Sequence, residues 1–543
     1  MDLSQEITQV FSRYKGKPAI SHHVPPNPSM TLTYGQLGER VEKFARFSMV
    51  DEIQPGDLVM CYMTKSVELV VSMLAVMLNG GVCSSLYSKQ NPQYPLKLLS
   101  VACPRFLLLD ENTLRNMKKS MKTTGLGSQS RVGMKYPDFE GIEYRQDHDG
   151  KAIYVLNDPL GMNGNRKDLP PTNHRLDDAA CCLFTSGSTG VPKGVLISRE
   201  DLLRRAMTEI EDYDLRDQDS LLSLLPFSFD VGLNQLLSCF LSGAHLVILN
   251  SWFPRDILTA VRSKHINGIS GVPSIWAETL AYPQGPDFEQ NIRTLRYITV
   301  SGGDLTKNQL VRLRQYFENV KIFKTYGQTE TFRSSMLKPF DFERKMTSVG
   351  RSIKGTQVFV LNDKGEIVPP NTEGEIVHYG VGTMLGYLDD SEGTSEKLRK
   401  MKEPGSEAMK EEKWVFTGDR GKMDEEGYLY VLGREDGMIK TLGHRVYPKE
   451  IENCILEHEH VKNAAVVGIK DERKGQIIIA EVIGNGALDK QRLIVFLKER
   501  LPYYMVPSEI NVVEYLPMTE SGKVKYATIK EKYEERRFLQ NQS

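Results

Sequence analysis

Few of the features that mark a secreted, membrane-bound or metal-caged protein occur in this sequence. Net charge is nearly absent: 69 Lys and Arg stand against 70 Asp and Glu, a formal −1. No overall field therefore draws the chain to nucleic acid or to an anionic membrane. Long apolar runs are missing too. The densest, Leu69–Leu78, is interrupted by Ser72 and falls well short of the roughly 20 residues that a bilayer span needs. The opening residues Met1-Asp-Leu-Ser-Gln-Glu carry neither a basic nor an apolar signal region, so no secretory leader is expected. The seven cysteines stand singly or as the pair Cys181-Cys182, with no Cys-x-x-Cys. That pattern suits buried free thiols in a reducing cytoplasm better than a disulfide framework or a zinc site. The ten histidines form no His-x3-His pair, which argues against a metal cage made of protein alone. The tail Gln-Asn-Gln-Ser is no peroxisomal signal, and no internal repeat is visible.

What is present is the material of a large soluble protein: 543 residues, 40% apolar and 26% charged, enough for more than one domain. Leu32-Thr-Tyr-Gly-Gln-Leu leads a strand into a helix carrying Val41, Phe44 and Ala45. Strands are expected at 57–62, 81–86 and 106–109, with a helix over Val67–Leu78 that Asn79-Gly80-Gly81 stops. Residues 111–176, rich in Lys, Met, Gly, Ser and Asn, show little periodicity and read as a long surface excursion. Alternation resumes from Ala179 to about Leu337, through Leu221–Asp230, the helical Leu233–Leu241 and strands at 245–249, 295–300 and 320–324. Between 355 and 432 the chain turns β-rich. A hairpin is expected from Thr356–Leu361 to Glu366–Val368, then strands at Glu375–Tyr379 and Tyr428–Leu432. The expected fold is α/β: a large domain over 1–433, with two mostly parallel sheets and a barrel-like β-rich part. A small α+β domain over 434–543 should follow it, with a helix from Pro448, strands at 463–468 and 476–483 and a helix over Lys490–Arg500.

The chemistry begins at Leu183-Phe-Thr-Ser-Gly-Ser-Thr-Gly-Val-Pro-Lys-Gly194. Thr185, Ser186, Gly187, Ser188, Thr189 and Gly190 are all hydroxyl or glycine residues, and Lys193 adds a cation. Glycines let backbone N–H groups converge on an anion, and hydroxyls add donors without bulk. The apolar runs Ala179–Phe184 and Val195–Ile197 on either side read as strands, so the loop joins two strands rather than strand and helix. Neither the Gly-x4-Gly-Lys-Ser/Thr pattern nor Gly-x-Gly-x-x-Gly fits. Alone, such a run is usually a flexible loop.

Four further stretches decide between those readings. They are Thr325-Tyr-Gly-Gln-Thr-Glu330, Thr417-Gly-Asp419-Arg420, Gly433-Arg434-Glu-Asp436-Gly-Met-Ile-Lys440 and Ser521-Gly-Lys523-Val-Lys525. Each alone is ordinary turn chemistry. Together they supply what attack on the α-phosphate of ATP by a carboxylate requires. The inventory is a phosphate loop, an aromatic face, one acid for Mg²⁺, another for a ribose diol, and a mobile cation.

From Leu32-Thr-Tyr to Lys523 the chain resembles the acyl-adenylate-forming superfamily of acyl-CoA synthetases, adenylation domains of non-ribosomal peptide synthetases and beetle luciferases. In type it is most similar to a stand-alone amino-acid-activating enzyme. The resemblance implies that Thr185–Lys193 holds the pyrophosphate part of ATP. Ser301, Gly302 and Gly303 would border adenine and the acyl pocket, with Tyr326 and Gly327 at the adenine. Thr329 would touch the α-phosphate and Glu330 would take Mg²⁺. Asp419 would bind the ribose, supported by Arg434, with Lys440 beside the nucleotide. Lys523 would bridge carboxylate and α-phosphate. A rotation of the small domain about Asp436 would withdraw Lys523 and bring Gly443 and Arg445 to a thioester-forming site.

For the acid, Pro226-Phe-Ser-Phe-Asp230-Val-Gly-Leu-Asn234 is informative. Many CoA ligases have a histidine here, whereas amino-acid-activating members carry Phe-Asp, whose aspartate pairs with the substrate ammonium. Asp230 matches it, although Asp before an apolar helix also serves as a cap. By the same resemblance Asn234, Ser301, Thr325 and Arg333 would line the pocket. Arg333 would either hold a second anion or pair with a nearby acid. The form Val446-Tyr-Pro-Lys-Glu450-Ile-Glu leans instead toward the acyl- and aryl-CoA ligases. No carrier serine motif follows Lys523, so the phosphopantetheine thiol would belong to a separate carrier protein, with coenzyme A as the alternative acceptor. A binding module without activity is the third reading, and the intact motifs oppose it. Neither nucleic acid nor membrane is expected as a partner.

Overall fold

The computed structural model describes residues 2–23, 30–46, 53–87, 93–123, 142–146, 152–157, 178–186, 192–285, 288–402, 411–434, 437–441, 444–471, 474–519 and 522–541. Two large sheets form its body. In the nine-stranded sheet, strands Tyr297–Val300, Gly268–Gly271, Ser220–Ser223, His245–Leu249 and Pro18–His23 lie side by side and parallel, with Lys321–Tyr326 beside the first. The eight-stranded sheet is built around the parallel Leu58–Met63, Val82–Tyr87, Phe106–Leu109 and Ala179–Ser186. Strand alternation sends neighbouring residues to opposite faces. Leu221, Leu246 and Ile248 enter the core between the two sheets, while Leu222, Val247 and Leu249 enter one on the far side. Sheets buried on both faces need near-continuous apolar strands, which is why Phe106-Leu-Leu-Leu109 is buried throughout.

Helices fill the space between the sheets. Val67–Leu78 is capped by Ser66, whose hydroxyl accepts from the Leu69 N–H, and is buried on nearly every side. It is apolar all round because it lies between the sheets, not because it crosses a membrane. No described helix is long and apolar enough to span one. Asp230–Ser242 is buried in the same layer. The sequence-based order of strands and helices holds across this body.

Two expectations need correction. Residues 111–176 are not a plain excursion. Glu111–Thr123 is a helix that buries Leu114 and Met117 against the eight-stranded sheet, and Ile142–Gln146 pairs with Ala152–Asn157 to extend that sheet. Its many lysines hid a helix that needs only two apolar anchors. The remainder of that stretch lies outside the described residues. The expected hairpin is present but short: Val368 N–H bonds the Val360 carbonyl and Ile367 bridges Leu361, while the strand that pairs with Thr356–Leu361 along its length is Gly374–Gly380. Five strands, Thr356–Leu361, Gly374–Gly380, Leu398–Lys402, Glu411–Met423 and Leu429–Arg434, form a third, antiparallel sheet.

A fourth sheet joins Ile439–Thr441, His444–Val446, Val461–Asp471, Gly475–Gly484 and Glu509–Val512. Helices Pro448–Leu456 and Lys490–Lys498 pack on one face, and Tyr526–Asn541 on the other. No disulfide joins any of the seven cysteines, all of them described; six are buried and Cys103 is half-buried. Burial pushes the thiols of Cys181, Cys182 and Cys239 far above their ordinary range.

Candidate active site

A cleft opens at the carboxyl ends of two parallel neighbours, Tyr297–Val300 and Lys321–Tyr326. Ligands of open α/β sheets bind at that edge. Ser301 follows the first strand, and its hydroxyl hydrogen-bonds the Thr325 hydroxyl of the second at 2.7 Å. Asp230, Asn234, Thr325, Thr329, Arg333 and Lys523 all line the cleft, with Phe229 and Phe332 as its apolar walls. It encloses about 460 Å³, its open mouth included.

Lys523 arrives from the far end of the chain. Its loop is a turn closed by Gly522 N–H on the Thr519 carbonyl and Lys523 N–H on the Thr519 hydroxyl. Gly522 takes φ +76°, and a Cβ there would lie 2.5 Å from the Ser274 hydroxyl of the large sheet's helix. Glycine is thus needed twice, for the turn and for the close approach. Beyond it, the Lys523 ammonium sits 5.8 Å from the centre of the Phe229 ring.

Asp230 does not cap its helix. The cap position is Phe229, Asp230 is the first helical residue, and no side-chain cap bond forms. The residue is 6% exposed, and burial pushes its carboxyl pKa up to about 6 against the pull of Lys523, the Val231 N–H and Arg333. Arg333 is paired. Its guanidinium donates to Glu209 at 2.9 Å and lies over the Tyr213 ring. Glu209 also accepts from the Asn234 amide and, at 3.1 Å, from the Ser238 hydroxyl. The Asn234 carbonyl oxygen is left buried without a hydrogen-bond partner among the described residues.

A second set of groups meets the cleft through Gln328, one of its lining residues. Asp419 accepts from the Tyr326 hydroxyl and the Gln328 amide, each at 2.7 Å. Burial raises its carboxyl pKa, opposed by Arg434, by those two donors and by Lys397. Asp419 faces Arg434 across two paired strands. Glu330 is buried and accepts from the Tyr387 hydroxyl at 2.7 Å. Lys193 pairs with Asp390 at 2.8 Å and stands over the Tyr387 ring. The lysine thus lies next to the residue that holds Glu330. No group of three metal-ligating side chains occurs among the described residues. The single carboxylate of Glu330 still suits Mg²⁺, which keeps most of its water and takes phosphate oxygens.

A sequence-family profile described as AMP-binding enzyme matches residues 7–388, and one described as AMP-binding enzyme C-terminal domain matches residues 450–523. The chain belongs to the AMP-binding enzyme family. It is an adenylate-forming ligase of the acyl-adenylate-forming superfamily. This AMP-binding enzyme is 29% identical over 91% of its length to bacitracin synthase 3 of Bacillus licheniformis, of which it spans only 7%. It is 28% identical to indoleacetate–CoA ligase of Aromatoleum aromaticum, over 99% of this chain and all of that one. The ATP-bound crystal structure of MatB from Rhodopseudomonas palustris superposes with a TM-score of 0.80, at 23% identity, over 98% of this chain and 99% of that one. At that identity the superposition speaks for the fold.

Not every expected residue falls at the cleft of this AMP-binding enzyme. Lys440 is exposed on its strand, its backbone N–H bonded to Gln476. Gly187, Ser188, Thr189, Gly190, Asp436 and Gly443 lie outside the described residues, as do the side chains of Ser186 and Arg445. Thr185 lies opposite Lys193, one residue before the end of its strand, in the expected strand–loop–strand order. Gly302 borders the lysine: a Cβ there would stand 3.6 Å from Lys523 Cε. Sequence reasoning missed Glu209, Gln328, Tyr387, Asp390 and Lys397. Glu209 had a visible signal. It sits on the Leu202, Ala206, Tyr213 stripe of its helix, where a carboxylate on the buried face calls for a partner.

Proposed function

We propose that this enzyme activates a small amino acid and passes it to the phosphopantetheine thiol of a separate carrier protein. The observation that carries the substrate class is Asp230. It is a buried carboxylate at the cleft with no capping role. Arg333 is engaged by Glu209, so the cleft offers acceptors, Asp230 and the Asn234 carbonyl oxygen, rather than a spare guanidinium. An ammonium group donates to both.

In this reading Thr185–Gly190 and Lys193 grip the β- and γ-phosphates, Tyr326 and Gly327 meet adenine, and Asp419 with Arg434 takes the ribose. Ser301, Gly302 and Gly303 border the nucleotide, and Lys440 belongs to the same side. Glu330, steadied by Tyr387, would hold Mg²⁺, which neutralises phosphate charge when bound, and Thr329 would touch the α-phosphate. An oxygen of the substrate carboxylate attacks the α-phosphorus, and the bond to pyrophosphate breaks. Lys523 offsets the charge that gathers between the two anions. Phe229 and Lys523 keep the reacting groups close and water out. The acceptor sulfur then attacks the acyl carbon, AMP leaves with the bonding pair, and the thiol proton passes to solvent. Our division is a large domain over 1–433 and a small one over 434–543, with Asp436 as hinge and Gly443 and Arg445 serving the thioester step.

Pyrophosphate exchange with a panel of acids tests the substrate. Exchange with small amino acids is expected; exchange with fatty or aryl acids alone would refute it. The coenzyme A reading is favoured by the full-length likeness to a CoA ligase. Thioester formation with free coenzyme A, against purified holo-carrier proteins, decides between acceptors.

Asp230→Asn separates substrate binding from stability. Because burial raises the carboxyl from 3.8 to about 6, its favourable protonated form is fully held below about pH 3.8. That stability is lost as pH rises through 6. At pH 7 the buried charge costs about 3 kcal/mol. Asp230→Asn is therefore expected to raise the melting temperature at pH 7 and to lose amino-acid-dependent exchange. In the native enzyme that exchange should rise through about pH 6. A melting temperature that falls, with exchange intact, would remove Asp230 from the site.

A further inference from the structure

The phosphate-loop lysine already has an anion. Lys193 Nζ lies 2.8 Å from Asp390 Oδ2, with both side chains about one-third exposed. The aspartate is not an adaptable surface group. Its other oxygen accepts the Gly393 N–H at 2.7 Å as the cap of the short helix Ser391–Lys397, and its carbonyl accepts the Thr394 hydroxyl. Gly393 leaves the space for the pair. A Cβ there would stand 2.4 Å from Lys193 Nζ and 2.3 Å from Asp390 Oδ2. Burial acts to raise the Asp390 carboxyl, but Lys193 and the Gly393 N–H outweigh it and keep it below the usual range. The group is an anion at any working pH.

A polyphosphate that draws Lys193 toward itself leaves this carboxylate behind, because the helix cap fixes it. The enzyme then meets pyrophosphate with a lysine and, a few ångströms away, a like charge. We propose that Asp390 is a positioning residue that weakens the hold of Lys193 on polyphosphate and so sets how readily pyrophosphate leaves. This rests on the reading of Lys193 as part of the pyrophosphate grip. It assigns that reading a built-in opponent.

Asp390→Asn tests it, since asparagine keeps the capping oxygen and removes the charge. The KM for ATP and the inhibition constant for pyrophosphate are expected to fall about three- to tenfold, with the KM for the acid unchanged. The difference should shrink at high salt. Asp390→Ser, a second neutral cap, should move both constants the same way. In a Lys193→Met background, Asp390→Asn should have no further effect. Unchanged or raised constants in both neutral variants would overturn the proposal, while Lys193→Met raises them. Unchanged constants in Lys193→Met itself would instead refute the reading of the loop.

Discussion

Replacing Lys523 with alanine is expected to slow acid-dependent pyrophosphate exchange on the order of 10²–10³-fold, the cost of one lost electrostatic donor at a developing charge. ATP binding should stay within about twofold, because the nucleotide groups Tyr326, Gln328 and Asp419 hold one another without it. Lys525→Ala is the control. Its side chain is exposed two residues away and should change neither constant. A second readout follows from the neighbour. Lys523 is the strongest influence pulling the Asp230 pKa down, so the residual activity of Lys523→Ala should climb at a higher pH than wild type. Exchange at wild-type rate in this variant would remove the lysine from the reaction.

Glu209→Ala is expected to be the most destabilising single change at the cleft. Glu209 is 2% exposed and answers three groups at once, Arg333, Asn234 and Ser238. Its removal strands a guanidinium in the core, where breaking one side of a buried ion pair costs about 3–5 kcal/mol. Arg205, fully buried nearby, makes matters worse, because Arg333 already contributes to holding its pKa down at about 9, behind the larger effect of burial. Glu209→Ala/Arg333→Met should recover much of the loss, which a double-mutant cycle on melting temperature measures. If Glu209→Ala melts with the wild type, the pair is not the support of the pocket wall.

The sheets and their connecting helices were legible because parallel strands buried on two faces write unbroken apolar runs, such as Phe106–Leu109, and glycines end helices cleanly, as after Leu78. The cleft was legible where residues cluster in sequence, as in Thr325–Glu330. It was not legible where pairing is long-range. Glu209 and Arg333 lie 124 positions apart, as Lys193 and Asp390 lie 197 apart, and no local pattern links them. Arg333 read alone suggested a cation waiting for a substrate anion or a nearby acid; its partner came from the buried stripe of a helix remote in sequence. Residues 111–123 misled for the opposite reason. A helix with two buried anchors amid lysines is amphipathic but too polar on average to stand out.

The buried cysteines bear on how the second half-reaction can be watched. With six of seven thiols inside the cores and the thiols of Cys181, Cys182 and Cys239 held far from ionisation, a maleimide or disulfide dye added to the folded enzyme meets chiefly Cys103. Colour beyond that one equivalent counts the acceptor sulfhydryl still free, and its decline with time follows thioester formation. The protein is in effect silent in its own assay.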